Sequence, residues 1–363
     1  MGHQKDPSEE VASMSLASAQ DLREFTRSAF TKVGVKEAHA EIVADHLVQA
    51  NLRGVDSHGV ARIPYYIKGI ELREVNTTPK IRTVVDKKAT ALVDGDFALG
   101  QVVGKYATEL AVKKAAEFGI GVVGVKRTSH VGMLAYYGMM IAEKMMIGQV
   151  YTNSPVFMAA WGGKKPIFGT NPLCMTFPYN GKRGPIVLDM ATSESAAFKI
   201  MSAASRGENI PEGWALDKHG NPTRNPREAL EGALLPFGGY KGYGLAVAVE
   251  LLSSVLMGAE WSSKVKVAFH TEGGQYVQAL DVSHFRPFEE YLRDLEEVVR
   301  GIKTSGKGEA EDEIYLPGEK EAIISAERSI HGIPIDDNLK KELTKVSEEL
   351  HIPLPLKELN AMR

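Results

Sequence analysis

Between Arg53 and Tyr66 the chain reads Arg-Gly-Val-Asp-Ser-His-Gly-Val-Ala-Arg-Ile-Pro-Tyr-Tyr, which gathers a hydroxyl (Ser57), an imidazole (His58), a guanidinium (Arg62) and a phenol (Tyr66). Imidazole titrates near neutral pH and can give or take a proton. A guanidinium fork can hold a carboxylate through two parallel hydrogen bonds. These are the groups a dehydrogenase acting on a small hydroxy acid needs, although a Ser-His-Gly turn also serves simply to end a helix. A second turn of this kind, Thr128-Ser129-His130-Val131-Gly132, follows an apolar segment that reads as a strand. Ligands in α/β proteins bind at the carboxyl ends of strands, so His130 joins His58 as a candidate for proton transfer. The remaining histidines have no comparable context.

The elements that must carry these turns are legible from periodicity. From Ala19 to Gly54 apolar residues recur at helical spacing (Leu22, Phe25, Ala29, Phe30, then Ile42, Val43, Leu47, Ala50), with a turn at Gly34 between two helices. Ala89–Val93 reads as a strand closed by Asp94-Gly95-Asp96. A helix over 102–118 should end at Gly119 and give way to a strand over 120–125. A helix (133–146), a strand (148–153) and strands at 173–177 and 186–190 follow. Further on come an apolar helix (242–256), a strand (276–282) and a charged amphipathic helix (287–304). The polar stretch 304–313 reads as an exposed loop, and 320–363 as helix interrupted at Pro334, Pro353 and Pro355. Alternation of this kind predicts an α/β sheet core. Because both chain ends are helical, they are expected to pack as one discontinuous domain.

Gly119-Ile120-Gly121-Val122-Val123-Gly124 matches the Gly-x-Gly-x-x-Gly dinucleotide fingerprint, but the match is a decoy. The fingerprint works when a strand precedes the glycines and a helix follows, placing pyrophosphate on the helix N-terminus. Here the order is inverted. Two other segments suit a large polar ligand: Trp161 through Pro172, with its glycines and Thr170-Asn171, and Pro236 through Gly244, where four glycines surround Lys241 at a helix start. There is no His-Glu-x-x-His, no cysteine pair and no Gly-x-Ser-x-Gly elbow, so no metal centre is expected and Ser/His/Asp hydrolysis is the weaker enzymatic reading.

The chain has 363 residues and a net charge of −3 from intermixed acids and bases; 44% of it is hydrophobic and 25% charged. Two soluble domains fit that length. No basic field exists to attract nucleic acid, and no apolar run is long enough for a membrane helix. The only cysteine, Cys174, excludes a disulfide framework and predicts a reducing, cytoplasmic setting. Residues 1–18 are polar and read as a disordered tail or one of foreign origin.

Taken together the motifs resemble the type-2 malate/L-lactate dehydrogenase family, the sulfolactate-dehydrogenase-like oxidoreductases. The matching pieces are Arg53 to Gly59, Ser129-His130-Val131-Gly132, Gly169-Thr170-Asn171-Pro172, Leu188-Asp189-Met190-Ala191-Thr192-Ser193, Tyr240 to Leu245, and Pro317-Gly318-Glu319. The resemblance implies a non-Rossmann α/β fold: a central mixed sheet flanked by helices, binding NAD or NADP over residues 89–319. A helical second domain for substrate and dimerisation would come from residues 19–88 and 320–363. It implies a homodimer that moves a hydride between NAD(P)H and a small 2-oxo or 2-hydroxy acid. Malate, or a lactate-type acid, is the first choice of substrate, and NAD the first choice of cofactor with NADP the alternative. Sulfolactate, ureidoglycolate and cyclic imino acids are the substrates of its relatives, and a cyclic-imine reductase is therefore a rival reading; an inactive dinucleotide sensor is a rival from another class. Residue by residue, the resemblance places proton transfer at His130, with His58 the other candidate. Substrate binding falls at Arg62, Tyr66 and Ser57. Cofactor contacts fall at Ser154, Thr170, Asn171, Leu188, Asp189, Met190, Lys241, Gly242, Gly318, Glu319 and Lys320.

Overall fold

The structure is a computed structural model that describes residues 15–266, 269, 272–308 and 313–358. In chain order, strand β1 (Ser15–Ala17) precedes helices α1 (Ala19–Lys32), α2 (Glu37–Leu52) and α3 (Ile63–Glu71). Strands β2 (Arg82–Asp86) and β3 (Thr90–Ala98) lead into α4 (Gly100–Phe118), β4 (Ile120–Thr128), α5 (Leu134–Ala142) and β5 (Met146–Thr152). Next come β6 (Met158–Ala159), β7 (Pro166–Phe168), β8 (Leu173–Phe177), β9 (Ile186–Met190), α6 (Ala197–Arg206), β10 (Ala215–Leu216) and β11 (Pro222–Thr223). They are followed by α7 (Pro226–Glu231), β12 (Ala233–Leu234) and α8 (Tyr240–Glu250), which runs on into a π-helical turn, Leu251–Val255. The chain closes with β13 (Gly273–Asp281), α9 (Phe288–Lys303), α10 (Glu319–His331), β14 (Ile333–Ile335), α11 (Asp337–Leu350) and β15 (Lys357–Glu358). It divides into two compact units, Met1–Arg73 with Glu321–Arg363, and Glu74–Lys320.

In the first unit the apolar stripe of α1 (Leu22, Phe25, Ala29, Phe30) is buried together with Val43 and Leu47 of α2. Ser18 caps α1, its hydroxyl accepting from Asp21 N at 3.0 Å. Ser15–Ala17, expected to belong to a tail, instead forms the middle strand of a three-stranded sheet, antiparallel to β14 and β15. Its partners lie more than three hundred residues along the chain, and nothing local signals the pairing. Residues 1–14 of the expected tail lie outside the described residues. Pro334, read as a helix break, sits in β14, an edge strand where a missing N–H costs no ladder bond.

The second unit is built on a seven-stranded mixed sheet of order β2-β3-β4-β13-β5-β8-β9, in which β3 and β4 are parallel and every other neighbouring pair is antiparallel. The strands expected at 173–177 and 186–190 appear with those bounds as β8 and β9. The glycine decoy resolves as packing. Gly119, at φ 81°, is the left-handed cap of α4. A Cβ on Gly121 would lie 2.0 Å from the Ala111 carbonyl oxygen, so helix and sheet approach each other there as only glycine allows. A small five-stranded sheet, β11-β10-β12-β6-β7, occupies stretches for which periodicity predicts no strand, and packs Met158, Ile210, Ala215 and Leu234 with Ile200 of α6 and Ala246 of α8. Of the loop expected at 304–313, residues 309–312 lie outside the described residues.

Candidate active site

The Ser57–Arg62 turn is fixed from below by one buried amide and one ion pair. Asn51, fully buried at the end of α2, donates to Asp56 Oδ1 (2.6 Å) and accepts from Val60 N (2.8 Å). A Cβ on Gly59 would overlap the Asn51 side chain, so the turn closes directly onto it. Arg328 of α10 then holds Asp56 with two bonds, 2.7 and 3.0 Å, and also donates to the Asn51 carbonyl. A bidentate pair of this kind fixes both distance and plane.

On that base, Ser57 Oγ lies 2.9 Å from His58 Nδ1, and Arg62 Nε donates to the Ser57 carbonyl at 2.6 Å. The terminal nitrogens of Arg62 hold no hydrogen bond among the described residues, and its guanidinium carbon lies 5.6 Å from the Tyr65 ring centroid. Burial, and secondarily the Arg62 charge, pulls His58 down to about 4, which keeps the ring neutral at pH 7. His46 is lowered further, to about 3, by burial and then by His58. Tyr66 departs from its expected place. It is only 1% exposed and packs as a core ring against Phe30 (centroids 6.3 Å apart) and Tyr65 (5.5 Å). The phenol beside Arg62 is thus Tyr65, since consecutive residues at a helix start face different ways.

The other expected residues all fall in the second unit. His130 follows β4, half-exposed, with its backbone held from two sides. Ser129 Oγ donates to the Ala98 carbonyl and accepts from Gly100 N at 3.0 and 3.1 Å, while Tyr137 Oη donates to the Val131 carbonyl at 2.6 Å. A Cβ on Gly100 would meet the His130 carbonyl oxygen at 2.4 Å.

The segments 154, 168–171, 190–193 and 236–246 converge. Thr170 N donates to Ser154 Oγ (3.1 Å), and Thr192 donates through both N and Oγ1 to the Thr170 carbonyl, each at 2.8 Å. Phe237 N donates to the Thr192 carbonyl (3.1 Å), and Gly242 sits so close to the Phe237 and Thr192 carbonyls that a Cβ would lie 2.4 and 2.8 Å from them. Asn171 is fully buried at φ 34°. Lys241 is exposed in the first turn of α8; its backbone N donates to the Gly238 carbonyl (3.4 Å), while its ammonium has no hydrogen-bond or ion-pair partner among the described residues. Leu188 and Met190 pack against the cluster of Tyr151, Leu173, Val249, Met257 and Tyr276. Asp189 accepts from Ala135 N, in the first turn of α5, at 2.7 Å, an anion at a helix N-terminus.

At the start of β9, Val187 N donates to the Pro317 carbonyl (2.9 Å), and Gly318, at φ 87°, lies where a Cβ would press on Val187. Glu319 pairs with Lys303 and accepts from Leu316 N (2.8 Å), and Lys320 Nζ lies 5.0 Å from the Tyr315 ring centroid. A cavity of about 250 Å³ is lined here by Arg183, Lys303, Glu313 and Glu319 among others. The expected cofactor residues therefore follow the edge strand β9, from Gly318 at its start to Thr170 and Gly242 beyond its end. The distance from Val187 to Thr192 is about 17 Å at the usual rise per strand residue.

Sequence reasoning passed over Asn51, Arg328, Tyr65 and Glu250. Asp56 and Tyr65 stood inside the quoted motif, but a role for Asp56 emerges only with a partner 272 positions away. Among the described residues no helix is long and apolar enough to cross a membrane, and no group of three or more His, Cys, Asp or Glu could hold a metal ion.

The mixed-sheet fold, with no Rossmann turn among the described residues, is that of solved sulfolactate and malate dehydrogenases, a class of NAD(P)-dependent oxidoreductases acting on hydroxy acids. The chain belongs to the malate/L-lactate dehydrogenase family, whose model matches residues 17–344. It is similar to the L-sulfolactate dehydrogenase of Methanocaldococcus jannaschii, 44% identical over 323 residues that cover 88% of this chain and 92% of that one. It is also similar to the malate/(S)-sulfolactate dehydrogenase of Methanothermus fervidus, 38% identical over 343 residues, 93% and 99% of the two chains. Among solved structures, the malate dehydrogenase of Entamoeba histolytica superimposes with a TM-score of 0.90 at 30% identity, covering 94% of this chain and 99% of that one.

Proposed function

We propose that the chain interconverts a 2-oxo acid and its 2-hydroxy acid, with oxaloacetate and malate as the first-choice pair. The observation that carries this reading is the Arg62 fork, anchored through Nε with its terminal nitrogens uncommitted among the described residues, in the same turn as His58. Such a fork matches a carboxylate in plane. Arg62 is assigned the substrate carboxylate, and the Ser57 hydroxyl a polar contact beside it. His130 is assigned proton transfer to the developing alkoxide, with His58 the alternative. The low pKa of His58 supports that order, because a ring held neutral is poorly suited to arrive carrying a proton.

A bound nicotinamide supplies the hydride. This chain's residues fit such a ligand. Lys241 in the first turn of α8 suits a pyrophosphate, Ser154, Thr170 and Gly242 offer close backbone and polar groups with the buried Asn171 behind them, and Leu188 and Met190 an apolar wall beside Asp189. Gly318, Glu319 and Lys320 take the far end. NAD is the first-choice cofactor because Arg183 and Lys303 are already paired with Glu313 and Glu319, leaving carboxylates to accept from ribose hydroxyls rather than open cations for a phosphate. A homodimer belongs to the same reading. Leu245, Ala248, Leu251, Val255 and Leu256 form an exposed apolar stripe along α8 and its π-helical turn, whose opposite side is buried, and a helix apolar all round needs covering. A second copy is the occupant proposed. Cys174, buried in β8, supports a cytoplasmic setting.

Steady-state reduction of oxaloacetate, pyruvate, 3-sulfopyruvate and a cyclic 2-imino acid with NADH and with NADPH tests the assignment. Oxaloacetate with NADH is expected to give the highest kcat/KM. A higher value for the cyclic imine moves the reaction to a C=N bond, and no turnover with any substrate at saturating cofactor refutes catalysis. Sedimentation is expected to give a dimer that Leu251→Glu dissociates; a wild-type monomer refutes that part.

A further inference from the structure

One carboxylate that no sequence motif marks ties the candidate cofactor loops together. Glu250, the last residue of α8, is 3% exposed and has no cationic partner among the described residues. Its Oε1 accepts from Ser262 N (2.8 Å) and Asn153 Nδ2 (3.2 Å), and its Oε2 from Asn171 Nδ2 (2.7 Å) and Ser262 Oγ (2.5 Å). The orientation of both amides is set independently, since Gly274 N donates to Asn153 Oδ1 (2.9 Å) and Ser154 N to Asn171 Oδ1 (3.3 Å). Gly169 N in turn donates to Ser262 Oγ (3.0 Å). The chain just beyond β5, the approach to β8, the start of β13 and the 260–262 segment are thereby fastened to two oxygen atoms. Four donors from outside α8, with Ser254 Oγ of the following turn a fifth at 3.1 Å from Oε1, converge on one side chain and require a group that only accepts, which among natural side chains is a carboxylate. The helix changes to π-helical winding at the next residue, a distortion that tends to accompany functional positions. Asn171, held at φ 34°, keeps that backbone only because its surroundings over-determine it.

We infer that Glu250 is the positioning residue for the dinucleotide-facing loops, acting through Asn171, Asn153 and Ser262 without touching the cofactor itself. The inference rests on the proposed placement of the cofactor against Ser154 and Thr170, with Asn171 buried behind them. Glu250→Gln keeps the shape but turns an amide NH2 toward donors. The Kd of NADH for the purified protein, read by nucleotide fluorescence, is expected to rise about tenfold, while the KM for the 2-oxo acid at saturating cofactor stays within about twofold. Thr108→Val, which removes a buried hydroxyl bond elsewhere in the same unit, serves as the structural control and should leave the NADH Kd unchanged. Ser154→Ala is measured alongside. If Ser154→Ala weakens NADH binding and Glu250→Gln does not, the positioning role of Glu250 is overturned while the cofactor placement stands. If Glu250→Gln weakens binding and Ser154→Ala does not, Glu250 keeps its role and the direct Ser154 contact is lost; if neither does, both fail. Should Glu250→Gln not fold, Ser262→Ala removes one hub hydroxyl and leaves the carboxylate. It is expected to raise the Kd about threefold, and an unchanged Kd overturns the inference.

Discussion

Arg328 is the sharpest test of how the Ser57–Arg62 turn is held. Arg328→Ala removes two bonds to Asp56 and one to the Asn51 carbonyl. A hydrogen bond to a charged group contributes roughly 1.5–3 kcal/mol, but side-chain exposures of 17% for Arg328 and 44% for Asp56 place the pair toward the screened end. Asn51 still donates to Asp56 when Arg328 is gone, so the turn loosens rather than opens. A net loss of about 1–2 kcal/mol follows, and if it falls on the geometry of Arg62 and His58 the KM for the 2-oxo acid should rise on the order of tenfold. NADH affinity should not change, since the residues assigned to it belong to the other unit. A double-mutant cycle with Asp56→Asn, read in kcat/KM, should return a coupling of about 1 kcal/mol, and additive losses would refute a direct pair. A wild-type KM in Arg328→Ala would refute the claim that this ion pair positions the turn at all.

Arg62→Lys should raise the 2-oxo acid KM by one to two orders of magnitude, because an ammonium cannot reproduce the planar fork; steady-state kinetics decide, and an unchanged KM removes Arg62 from the site. His130→Ala should abolish most turnover and leave the NADH Kd near wild type, and if His58→Ala proves the more damaging the two roles are exchanged. For pH, His46 and His58 are both lowered in the folded state, to about 3 and about 4. Below the unfolded value near 6.5 the unfolded chain binds protons that the folded chain refuses, so stability is full above that pH and is lost as pH falls toward the folded values. Every tenfold drop in a ring's proton affinity is worth about 1.4 kcal/mol, so melting temperature should fall steeply between pH 6.5 and 4, and a flat profile there would refute neutral burial. Gly121→Ala should cost about 2–3 kcal/mol by driving a methyl into the Ala111 carbonyl. Equal loss of NADH affinity in still-folded protein would reinstate those glycines as a phosphate loop.

What the sequence made legible was local. The order of helix, Gly119 and strand was enough to reject the glycine fingerprint, because the test concerns which element precedes which, and periodicity carries that information. The edges of β8, set between Pro172 and Pro178, were equally readable, as was the start of β9 after Gly184-Pro185. The polar residues that hold the site are another matter. Asp56 was visible in its motif, but its partner is Arg328, and β1 looked like tail because Ile333–Ile335 lies at the other end of the chain. Glu250 ends an apolar helix beside serines, a position where local reasoning assigns a solvated charge; its meaning comes from Asn153, Asn171 and Ser262, which reach it only once the sheet has formed. Tyr66, expected at the substrate, lies in the core for a related reason, since which of two adjacent tyrosines turns inward depends on which one meets Phe30. Groups that do chemistry must meet a ligand and can cluster in a short motif, whereas groups that hold them are recruited from wherever the fold brings a donor within reach. For this chain that difference makes the second set, Arg328 and Glu250, the more informative residues to mutate, because each reports on one unit's geometry without removing a reacting atom.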